Sequence, residues 1–498
     1  MYNLSIPKKK LFEKDTRVGI VDIGSDTIRF QIFENFKNNQ IPIFNKKISC
    51  GLGKDLASTN ELNKNSIKKA INALKYISDI LKASAINNVH VLATEAVRVA
   101  NNSSVFKLKA ESILNTRLNV LSGKDEAKYS GLGAIVGIKK SKGIVADLGG
   151  GSLELAEVKK KRILNTTSMS FGVHRAISKN KNIYRDFDKE LESIDWFSEN
   201  NFKRLILTGG TWRSLIKIYF VKYDYPLNVI HHFKPNFKLF IEMLEEVSNY
   251  KQKELKQISY ITKDKTPYIK YASYVALKII QKSKSREIVI SYTALREGYL
   301  SNIYNINNKF DPLIHESNKL SKLHNDLEFN YINHAAVYDF CFSFFKNHPY
   351  VSRRLLKSSI NLTSIGASID KDEKAQFAFN QILKMELLKF SHSDRIKLAT
   401  AIYFFHDNYK RDGIKKYKHL INKNSFYSMI ALGIFNKISI DIGLLTNFNY
   451  QNFEIYIKDH NIIFKIPKLY SDLLKSKTKK SFDTLSKVLK MQQKIVLI

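Results

Sequence analysis

Two stretches of this sequence, more than a hundred positions apart, place the same residue types in the same order. They read "GIVDIGSDTIRFQIFE" at 19–34 and "GIVADLGGGSLELAEV" at 143–158. Each begins with an apolar strand pattern that ends near an aspartate, Asp22 or Asp147, and continues through small residues into a second strand. The chain therefore contains one strand–loop–strand motif twice, and the residues of the two loops indicate what the motif binds.

The two loops have the composition of a phosphate-binding turn. Small residues leave backbone N–H groups accessible, and glycines let the backbone approach an anion closely. An aspartate at each strand end adds hard oxygen ligands, which Mg²⁺ prefers. Either loop alone is also explained as an ordinary turn, so the prediction of a phosphate clamp with Mg²⁺ rests on the pair. The predicted phosphate-binding residues are Gly24, Ser25, Asp26, Thr27, Gly149, Gly150, Gly151 and Ser152.

Two glutamates are candidates for chemistry at such a clamp. In "LSGKDEAKYSG", Ser122 and Asp125 have the spacing of a helix capping box, which leaves Glu126 free of that structural role. Glu126 can accept a proton from an attacking water, although a carboxylate that only stabilises the helix N-terminus is the alternative. Glu154 alternates with two leucines along its strand, so it lies on the opposite face, which the repeat predicts to be the cleft.

Further anion-binding residues follow other strand ends. In "ATEAVRVANN" a strand ends at Thr94 and a helix begins, so N–H groups, the Thr94 hydroxyl and the Arg98 guanidinium can hold an anion. In "LTGGTWR" the backbone is again presented at a strand end. Arg213 and Arg296 could contact phosphates, although a salt bridge explains each equally well. The predicted residues of this third loop are Gly209, Gly210 and Thr211.

Alternating strands and helices are expected to position these residues. Residues 16–121 read as two strands, helices such as "SIKKAINALKYISDILKAS" and the strand "NVHVLAT", and 122–305 repeat that order. Later amphipathic stretches predict helices, and "NFEIYIKDHNIIFKIP" predicts a hairpin. We expect an α/β protein with lobes at 1–125 and 126–305 and a mainly helical domain at 306–498.

Composition places the chain among folded globular proteins. It has 498 residues, more than one hydrophobic core usually organises, and 44% of them are hydrophobic. We find no apolar run long enough to span a bilayer, and the lysine-rich "MYNLSIPKKKLFEKDTR" lacks the apolar stretch of a signal peptide. Cys50 and Cys341 lack the spacing of a metal site. We expect a cytoplasmic protein with buried thiols and no membrane partner.

The formal net charge of +35 produces a long-range field that attracts polyanions. Nucleic acid, anionic lipid and polyphosphorylated small molecules all fit that field. A lysine- and asparagine-rich surface with no binding role explains the same charge, so charge alone does not identify a partner.

Seven motifs in one order resemble the exopolyphosphatase and guanosine pentaphosphate phosphohydrolase (Ppx/GppA) family of the actin, sugar kinase and Hsp70 superfamily. They are "VDIGSDTIR", "ATEAVRVANN", "LSGKDEAKYSG", "ADLGGGSLEL", "SFGVHR", "LTGGTWR" and "ALREGYL". The resemblance implies two ribonuclease-H-like (actin-like ATPase) lobes, Mg²⁺ dependence and hydrolysis of a terminal phosphoanhydride by activated water. It also implies that Glu126 is the general base, that Glu154 orients water or metal, and that Arg98 contacts phosphate. The implied metal ligands are Asp22, Asp147 and Glu154.

The chain departs from the family pattern in its loops. Asp26 and Thr27 stand where the family has Asn and Ser, and an extra carboxylate repels bound phosphate unless a metal or arginine compensates it. Leu153 stands where the family often has Thr, which removes one hydroxyl from the second loop. The affinity for phosphate, or the metal concentration that the protein requires, is therefore expected to differ from that of the family.

The C-terminal domain resembles a degenerate HD-like domain. Thr363 and Ser364 stand where relatives place the signature, with no histidine. His406 and Asp407 are adjacent, but a metal site needs further ligands on neighbouring helices, so we interpret them as a helix-end pair.

The sequence therefore predicts a Mg²⁺-dependent exopolyphosphatase that acts on inorganic polyphosphate. The same site would serve a guanosine pentaphosphate 5′-phosphohydrolase. A non-catalytic polyanion- or RNA-binding regulator that keeps the fold is a third hypothesis, although binding alone would not require Glu126 and Glu154. The family resemblance adds the expectation of a homodimer.

Overall fold

The computed structural model describes most of the chain. Within it, the chain forms two compact units, residues 1–308 and 309–498. Residues 1–16, on which the signal-peptide argument rests, lie outside the described part. The described residues are 17–36, 41–177, 182–198, 202–251, 254–255, 266–305, 311–325, 332–407, 412–475 and 477–498.

The first half of the N-terminal unit is a sheet with helices packed against it. Helix α2 buries Ala70, Leu74, Ile77 and Leu81, which have helical spacing, and Asn63 caps its start by accepting from two backbone N–H groups. Its strands are β1 Arg17–Ile23, β2 Thr27–Glu34, β3 Phe44–Ser49, β4 Val89–Ala93 and β5 Leu118–Val120. Its helices are α1 Leu56–Thr59, α2 Lys64–Ala83, α3 Glu95–Val99 and α4 Ser103–Leu114.

The second half of the N-terminal unit begins with helix α5. This helix contains both residue 125 and residue 126, between which the sequence analysis placed the boundary of the lobes. Its strands are β6 Gly143–Leu148, β7 Leu153–Lys159, β8 Arg162–Met169, β9 Arg204–Thr208 and β10 Glu287–Ser291. Its helices are α5 Gly123–Gly137, α6 Val173–Ile177, α7 Ile183–Glu192, α8 Asp195–Ser198, α9 Gly210–Lys222, α10 Phe237–Asn249, α11 Thr266–Ser283 and α12 Leu295–Ile303.

The two sheets have the same strand order, which confirms the repeat predicted from the sequence. The first runs β3-β2-β1-β4-β5, and the second runs β8-β7-β6-β9-β10 when read in the matching direction. In each, the first two strands pair antiparallel and the crossover strand pairs parallel with the first. The loops after β1 and β6 are therefore equivalent positions of two related lobes.

Helices α5 and α12 pack closely because, at their contact, each presents a glycine to the backbone of the other segment. A Cβ on Gly133 would lie 2.0 Å from the Ala294 carbonyl oxygen, and one on Gly298 would lie 1.8 Å from the Tyr129 oxygen. The Thr293 hydroxyl also donates to the Gly133 oxygen at 2.7 Å. This contact fixes α12 against α5, the helix that carries Glu126.

The C-terminal unit is mainly helical, as predicted. The predicted hairpin is confirmed as β11 and β12, but β13 adds a parallel third strand that the sequence analysis did not foresee. Its description as a degenerate HD-like domain stays a prediction. The helices are α13 Pro312–Asn325, α14 His334–Phe345, α15 Arg353–Asn361, α16 Lys374–Lys384, α17 His392–His406, α18 Lys423–Leu445 and α19 Lys477–Leu489, with 3₁₀ turns at Asp412–Leu420 and Lys468–Lys475. The strands are β11 Glu454–Lys458, β12 Asn461–Ile466 and β13 Gln492–Leu497.

Helix α18 corrects the statement that no apolar run is long enough to cross a membrane. It has 23 residues and, in its most apolar window, a mean hydropathy of 1.5, which suffices by length and composition. Since 78% of that window is buried within the protein, α18 has the character of a core helix. Cys50 and Cys341 are buried and unpaired, as predicted.

The pair His406 and Asp407 lies at a helix end, as interpreted from the sequence. His406 is the last residue of α17, and Asp407 is its C-cap. The His406 Nε2 lies 2.7 Å from the Ile365 carbonyl oxygen, and burial lowers the pKa of His406 to about 4.

Candidate active site

The first loop is a tight turn that a neighbouring segment holds in place. Between β1 and β2, the Gly24 N–H donates to the Thr27 oxygen at 3.0 Å. The Ser25 oxygen accepts from the Gly53 N–H at 2.8 Å, and the Asp26 oxygen accepts from two further N–H groups, at residues 50 and 51. These bonds fix the backbone that was predicted to cradle phosphate.

The second loop commits its carbonyl groups to the start of α6. The oxygens of Gly149, Gly150 and Gly151 accept from the backbone N–H groups of residues 173, 174 and 172. The Gly149 N–H donates to the Ser152 oxygen at 2.9 Å and closes the hairpin. In the described part of the chain, no backbone hydrogen bond uses the N–H groups of Gly150 and Gly151. These two N–H groups are therefore candidate donors to an anion.

The two loops meet across the lobes, so their glycines also have a packing role. A Cβ on Gly150 would lie 3.0 Å from the Ser25 Cβ, and one on Gly151 would lie 1.5 Å from the Glu95 Oε2. The Ser25 hydroxyl donates to Glu95 at 3.4 Å. Glu95 also accepts from Arg175 at 3.3 Å. The sequence analysis explained these glycines by anion approach alone and did not single out Glu95.

Asp26, the extra carboxylate of the first loop, has a partner from the other lobe. The His174 Nε2 lies 2.5 Å from the Asp26 Oδ1, and the His174 Nδ1 lies 3.1 Å from the Tyr268 hydroxyl. The sequence analysis expected a metal or an arginine to compensate Asp26. The structure instead places the imidazole of His174, from the motif "SFGVHR", against this carboxylate.

Glu126 is a buried carboxylate beside Arg98. Ser122 caps α5 by accepting from the Asp125 N–H at 3.1 Å, which confirms the predicted cap and places Glu126 in the first turn. The Arg98 guanidinium pairs with the Glu126 carboxylate and donates to the Leu121 oxygen. Burial raises the pKa of Glu126 to about 8, although Arg98 opposes the rise. The predicted base and a predicted phosphate ligand are thus in contact.

Asp147 and Glu154 lie directly opposite each other on neighbouring strands. They are a cross-strand pair of the β6–β7 ladder. The Ser130 hydroxyl donates to Asp147 at 2.7 Å, and the Ser168 hydroxyl donates to Glu154 at 3.1 Å. Burial raises the pKa of both carboxyls, and the negative charge of Glu126 and Asp147 raises that of Glu154 further. The structure therefore gathers Glu126, Asp147 and Glu154 into one acidic group.

Asp22 lies beside arginines and near that acidic group, since its negative charge also raises the pKa of Glu126 and Asp147. The Arg296 guanidinium donates to the Asp22 Oδ2 at 2.8 Å. Asp22 pairs across β1 and β2 with Arg29, whose pKa burial and the nearby Arg296 and Arg213 lower to about 10. The Arg213 guanidinium also lies over the Tyr292 ring, 4.8 Å from its centre.

Arg29 is a site residue that the sequence analysis missed. It follows Asp22 by seven positions, as Glu154 follows Asp147, so the repeat itself contained the signal. Among the described residues, no hydrogen bond engages the Arg29 guanidinium. Together with Arg213 and Arg296 it forms a group of three positive side chains next to the carboxylates.

Other predicted residues have roles in holding the backbone. The Thr94 hydroxyl and N–H both donate to the Ile23 oxygen, at 3.4 and 3.1 Å, so the hydroxyl is used within the protein. The third loop begins at Gly209, whose oxygen accepts from Arg213 at 3.2 Å. Gly209 has a φ of 106° and lies against the Asp147 side chain. Gly210 and Thr211 begin α9.

The donor chemistry of the site suits Mg²⁺, but its three predicted ligands do not form a cage. Among the described residues, no group of three or more His, Cys, Asp or Glu side chains has the arrangement of a metal site. The cross-strand pair Asp147 and Glu154 offers hard oxygens, whereas Asp22 pairs with Arg296. Since Mg²⁺ is usually held by one or two carboxylates plus waters and substrate phosphates, that pair fits it.

The fold is a two-lobed α/β fold with carboxylates and arginines grouped at its site, and comparison with known proteins identifies its family. The model of the Ppx/GppA phosphatase family matches residues 32–305, more than half of the chain. The chain therefore belongs to the Ppx/GppA phosphatase family, whose members hydrolyse phosphoanhydrides.

Curated relatives include guanosine-5′-triphosphate,3′-diphosphate pyrophosphatases. The protein of that name from Photobacterium profundum is 20% identical over 407 residues, covering 78% of this chain and 80% of that protein. The one from Pseudoalteromonas atlantica is 28% identical over 153 residues, about 30% of each.

Solved structures share the fold of the N-terminal unit. An exopolyphosphatase from Cytophaga hutchinsonii superposes with a TM-score of 0.52 at 19% identity, covering 58% of this chain and 98% of that one. A Ppx/GppA family member from Aquifex aeolicus gives 0.50 at 21% identity, covering 59% and 99%. This similarity confirms the two-lobed actin-like fold.

Proposed function

We propose that this protein is an exopolyphosphatase that releases orthophosphate from the end of inorganic polyphosphate. The observation that carries the proposal is the group of three arginines, Arg29, Arg213 and Arg296, beside the acidic group of Glu126, Asp147 and Glu154. Phosphoryl transfer requires mainly positioning and neutralisation of charge. An uninterrupted chain of phosphates presents the anionic groups that several arginines can bind.

Glu126 is the proposed general base. Water attacks the terminal phosphorus, a new P–O bond forms, and the anhydride P–O bond to the shortened chain breaks. Glu126 takes the proton that the water loses, which its raised pKa favours. Arg98 holds the carboxylate in place, and its guanidinium can also contact a phosphate oxygen of the substrate.

Asp147 and Glu154 are the proposed Mg²⁺ ligands, with waters and phosphate oxygens completing the shell. When bound, Mg²⁺ would neutralise phosphate charge and polarise the terminal phosphoryl group. The hydroxyls of Ser130 and Ser168 orient the two carboxylates. The N–H groups of Gly150 and Gly151 are the proposed donors to the phosphate itself.

A guanosine pentaphosphate 5′-phosphohydrolase is the second candidate. The curated relative aligned over 78% of this chain is named for guanosine-5′-triphosphate,3′-diphosphate. The same carboxylates and loops would act on its terminal 5′ anhydride. The two candidates differ in the part of the substrate that the enzyme must bind beyond the scissile bond, which is a chain of phosphates in one case and a guanosine nucleotide in the other.

Orthophosphate release from the two substrates, measured side by side, tests the proposal. The purified full-length protein is assayed with inorganic polyphosphate and with guanosine pentaphosphate, each with and without Mg²⁺. We expect the higher kcat/KM on polyphosphate and a requirement for Mg²⁺. A higher kcat/KM on guanosine pentaphosphate would support the second candidate, and release from neither substrate would contradict both.

A further inference from the structure

A cavity of 530 Å³ opens beside the first phosphate loop, on the first lobe. Asp26 and Thr27 of that loop form one wall. The turn at residues 49–55 and the start of α2 form the others. The turn donates three backbone hydrogen bonds to the oxygens of Ser25 and Asp26. These bonds hold the turn and the loop, which form two walls of the cavity, against each other.

Three lysines from three different elements line this cavity. Lys47 is on β3, Lys54 is in the turn, and Lys69 is on α2. In the part of the chain that the structure describes, Lys54 and Lys69 have no ion-pair partner. Two ammonium groups therefore face the cavity without a carboxylate of their own, so an anion that enters gains their attraction.

The two carboxylates of the cavity wall are already engaged by the protein. Asp26 pairs with His174 at 2.5 Å. Asp55 accepts from the Asn63 side-chain amide at 2.7 Å. Both carboxylates therefore have partners within the protein, whereas Lys54 and Lys69 have no ion-pair partner among the described residues.

Neutral donors complete the wall. The side chains of Ser49, Asn65 and Ser66 line the cavity, and the last two belong to the first turn of α2. Because α2 has 20 residues, its N-terminus adds the positive end of a helix dipole. Lysines with hydroxyl and amide donors can follow a flexible phosphate chain, since an ammonium group imposes no fixed geometry.

We propose that this cavity is a subsite for the phosphates that follow the terminal one, and this inference rests on the proposed function. The first loop and the cavity share Asp26 and Thr27, so the groups that follow a phosphate held by that loop are within reach of the cavity. The ligand is a condensed phosphate. It can come from the interior of a polyphosphate chain or from the 3′-diphosphate of guanosine pentaphosphate.

The test compares the double variant Lys54→Gln, Lys69→Gln with a matched control. The control is Lys68→Gln, Lys75→Gln, which removes the same charge from exposed positions of α2 outside the cavity. For each protein, kcat/KM is measured on tripolyphosphate and on long-chain polyphosphate. Because each lost phosphate contact weakens binding electrostatically, we expect the cavity variant to lose roughly tenfold on long chains. The loss on tripolyphosphate should be smaller, and the control should keep the wild-type ratio between the two substrates.

A binding measurement keeps this inference separate from the proposed function. Glu126→Gln protein, with and without the two cavity substitutions, is titrated calorimetrically with long-chain polyphosphate and with guanosine pentaphosphate. Weaker binding of polyphosphate in the cavity variant supports the interior of the chain as the ligand, and weaker binding of guanosine pentaphosphate supports the 3′-diphosphate. Equal losses in the cavity variant and the control, or none with either ligand, would overturn the subsite. Absence of turnover in the wild type would instead contradict the proposed function.

Discussion

Glu126 is under two opposing influences, and their balance decides its proton affinity. The Arg98 guanidinium favours the ionised carboxylate, whereas burial and the negative charges of Asp22 and Asp147 favour the neutral acid. Burial is the largest of these effects, and the pKa rises to about 8. A carboxyl group with that pKa is a stronger proton acceptor than a solvated glutamate, which is the property that water activation requires.

This balance predicts an alkaline rise in activity. Below pH 8 most free enzyme carries a protonated Glu126, which cannot take a proton, so kcat/KM should increase with pH and level off above about pH 8. Arg98→Met removes the cation that lowers the pKa and should move the rise to higher pH. A pH profile of kcat/KM on tripolyphosphate measures both effects, and a profile that is flat between about pH 6 and 9 would contradict the assignment.

The pair Asp26 and His174 predicts a rescue. His174→Asn leaves the Asp26 charge beside bound phosphate, and KM for polyphosphate should rise by roughly threefold or more, since contacting charges typically couple by about 0.5–3 kcal/mol. Asp26→Asn in that background removes the charge and should restore KM. The measurement is a double-mutant cycle in KM, and an unchanged KM in His174→Asn would show that the histidine does not compensate Asp26.

Part of this residue chemistry was predictable from spacing together with the family resemblance. Glu126, Asp147 and Glu154 were named from motif position and strand alternation, and the structure gathers them. Arg29 was missed because arginine and glutamate do not look equivalent, although both follow their aspartate by seven positions. His174 was missed because it contacts Asp26 only after the two lobes fold together.

The two hairpins with their loops are the elements that build the site. Each delivers an aspartate at the end of its first strand, and the loops approach so closely that side chains are excluded at the contact. The glycines of the second loop therefore serve both the lobe contact and the exposure of N–H donors. This dual role makes their substitution informative.

The contact between the loops predicts a contrast between two glycines. Gly151→Ala places a Cβ 1.5 Å from the Oε2 of the buried Glu95 on α3, so the Glu95 side chain must leave its contacts with Ser25 and Arg175, at a cost of about 1–3 kcal/mol. Gly210→Ala is the matched control, because a Cβ there has nothing within 4 Å. Thermal melting should show a lower Tm for Gly151→Ala and an unchanged or slightly higher one for Gly210→Ala. Equal Tm values would contradict the close approach of Gly151 and the Glu95 side chain.

Strands in the middle of each sheet were easier to predict than strands at its edge. The apolar runs of β1 and β6 are almost wholly buried, which is the pattern of central strands. Edge strand β3, "FNKKIS", is largely exposed and has no buried apolar run. Strand β13 pairs with β12 in a register that joins residues 31 positions apart, and no local pattern specifies such a partner.

At the scale of the whole molecule, the solved relatives match a part of the chain about the size of the N-terminal unit. The Cytophaga and Aquifex structures have 98% and 99% of their chains covered by 58% and 59% of this one, about the size of residues 1–308. The match to the Photobacterium profundum relative covers 78% of this chain, more than the N-terminal unit contains, so it extends into the C-terminal unit. The segment "DLLKSKTKKSFDTLSKVLK" of the C-terminal unit has more lysine than acid, which suits contact with a polyanion.

Removal of the C-terminal unit is expected to change the lengths of the polyphosphate products rather than the hydrolysis step itself. A protein ending at residue 308 should still hydrolyse tripolyphosphate, whereas long chains should be released as intermediate lengths, because the basic surface of that unit no longer retains them. Gel electrophoresis of the products against time measures this. Direct conversion of long chains to orthophosphate by the shortened, folded protein would show that the lysines of the C-terminal unit do not retain the substrate.

The most direct test of the account is the rate of orthophosphate release from polyphosphate by Glu126→Gln, with Asp125→Asn as its control. The two residues are adjacent in the first turn of α5, but Asp125 pairs with the capping Ser122 and Glu126 with Arg98. If Glu126 takes the proton of the attacking water, kcat of Glu126→Gln should fall by roughly two to four orders of magnitude, while polyphosphate binding persists and Asp125→Asn stays near the wild-type rate. A Glu126→Gln protein that turns over within about threefold of the wild type would contradict the central claim.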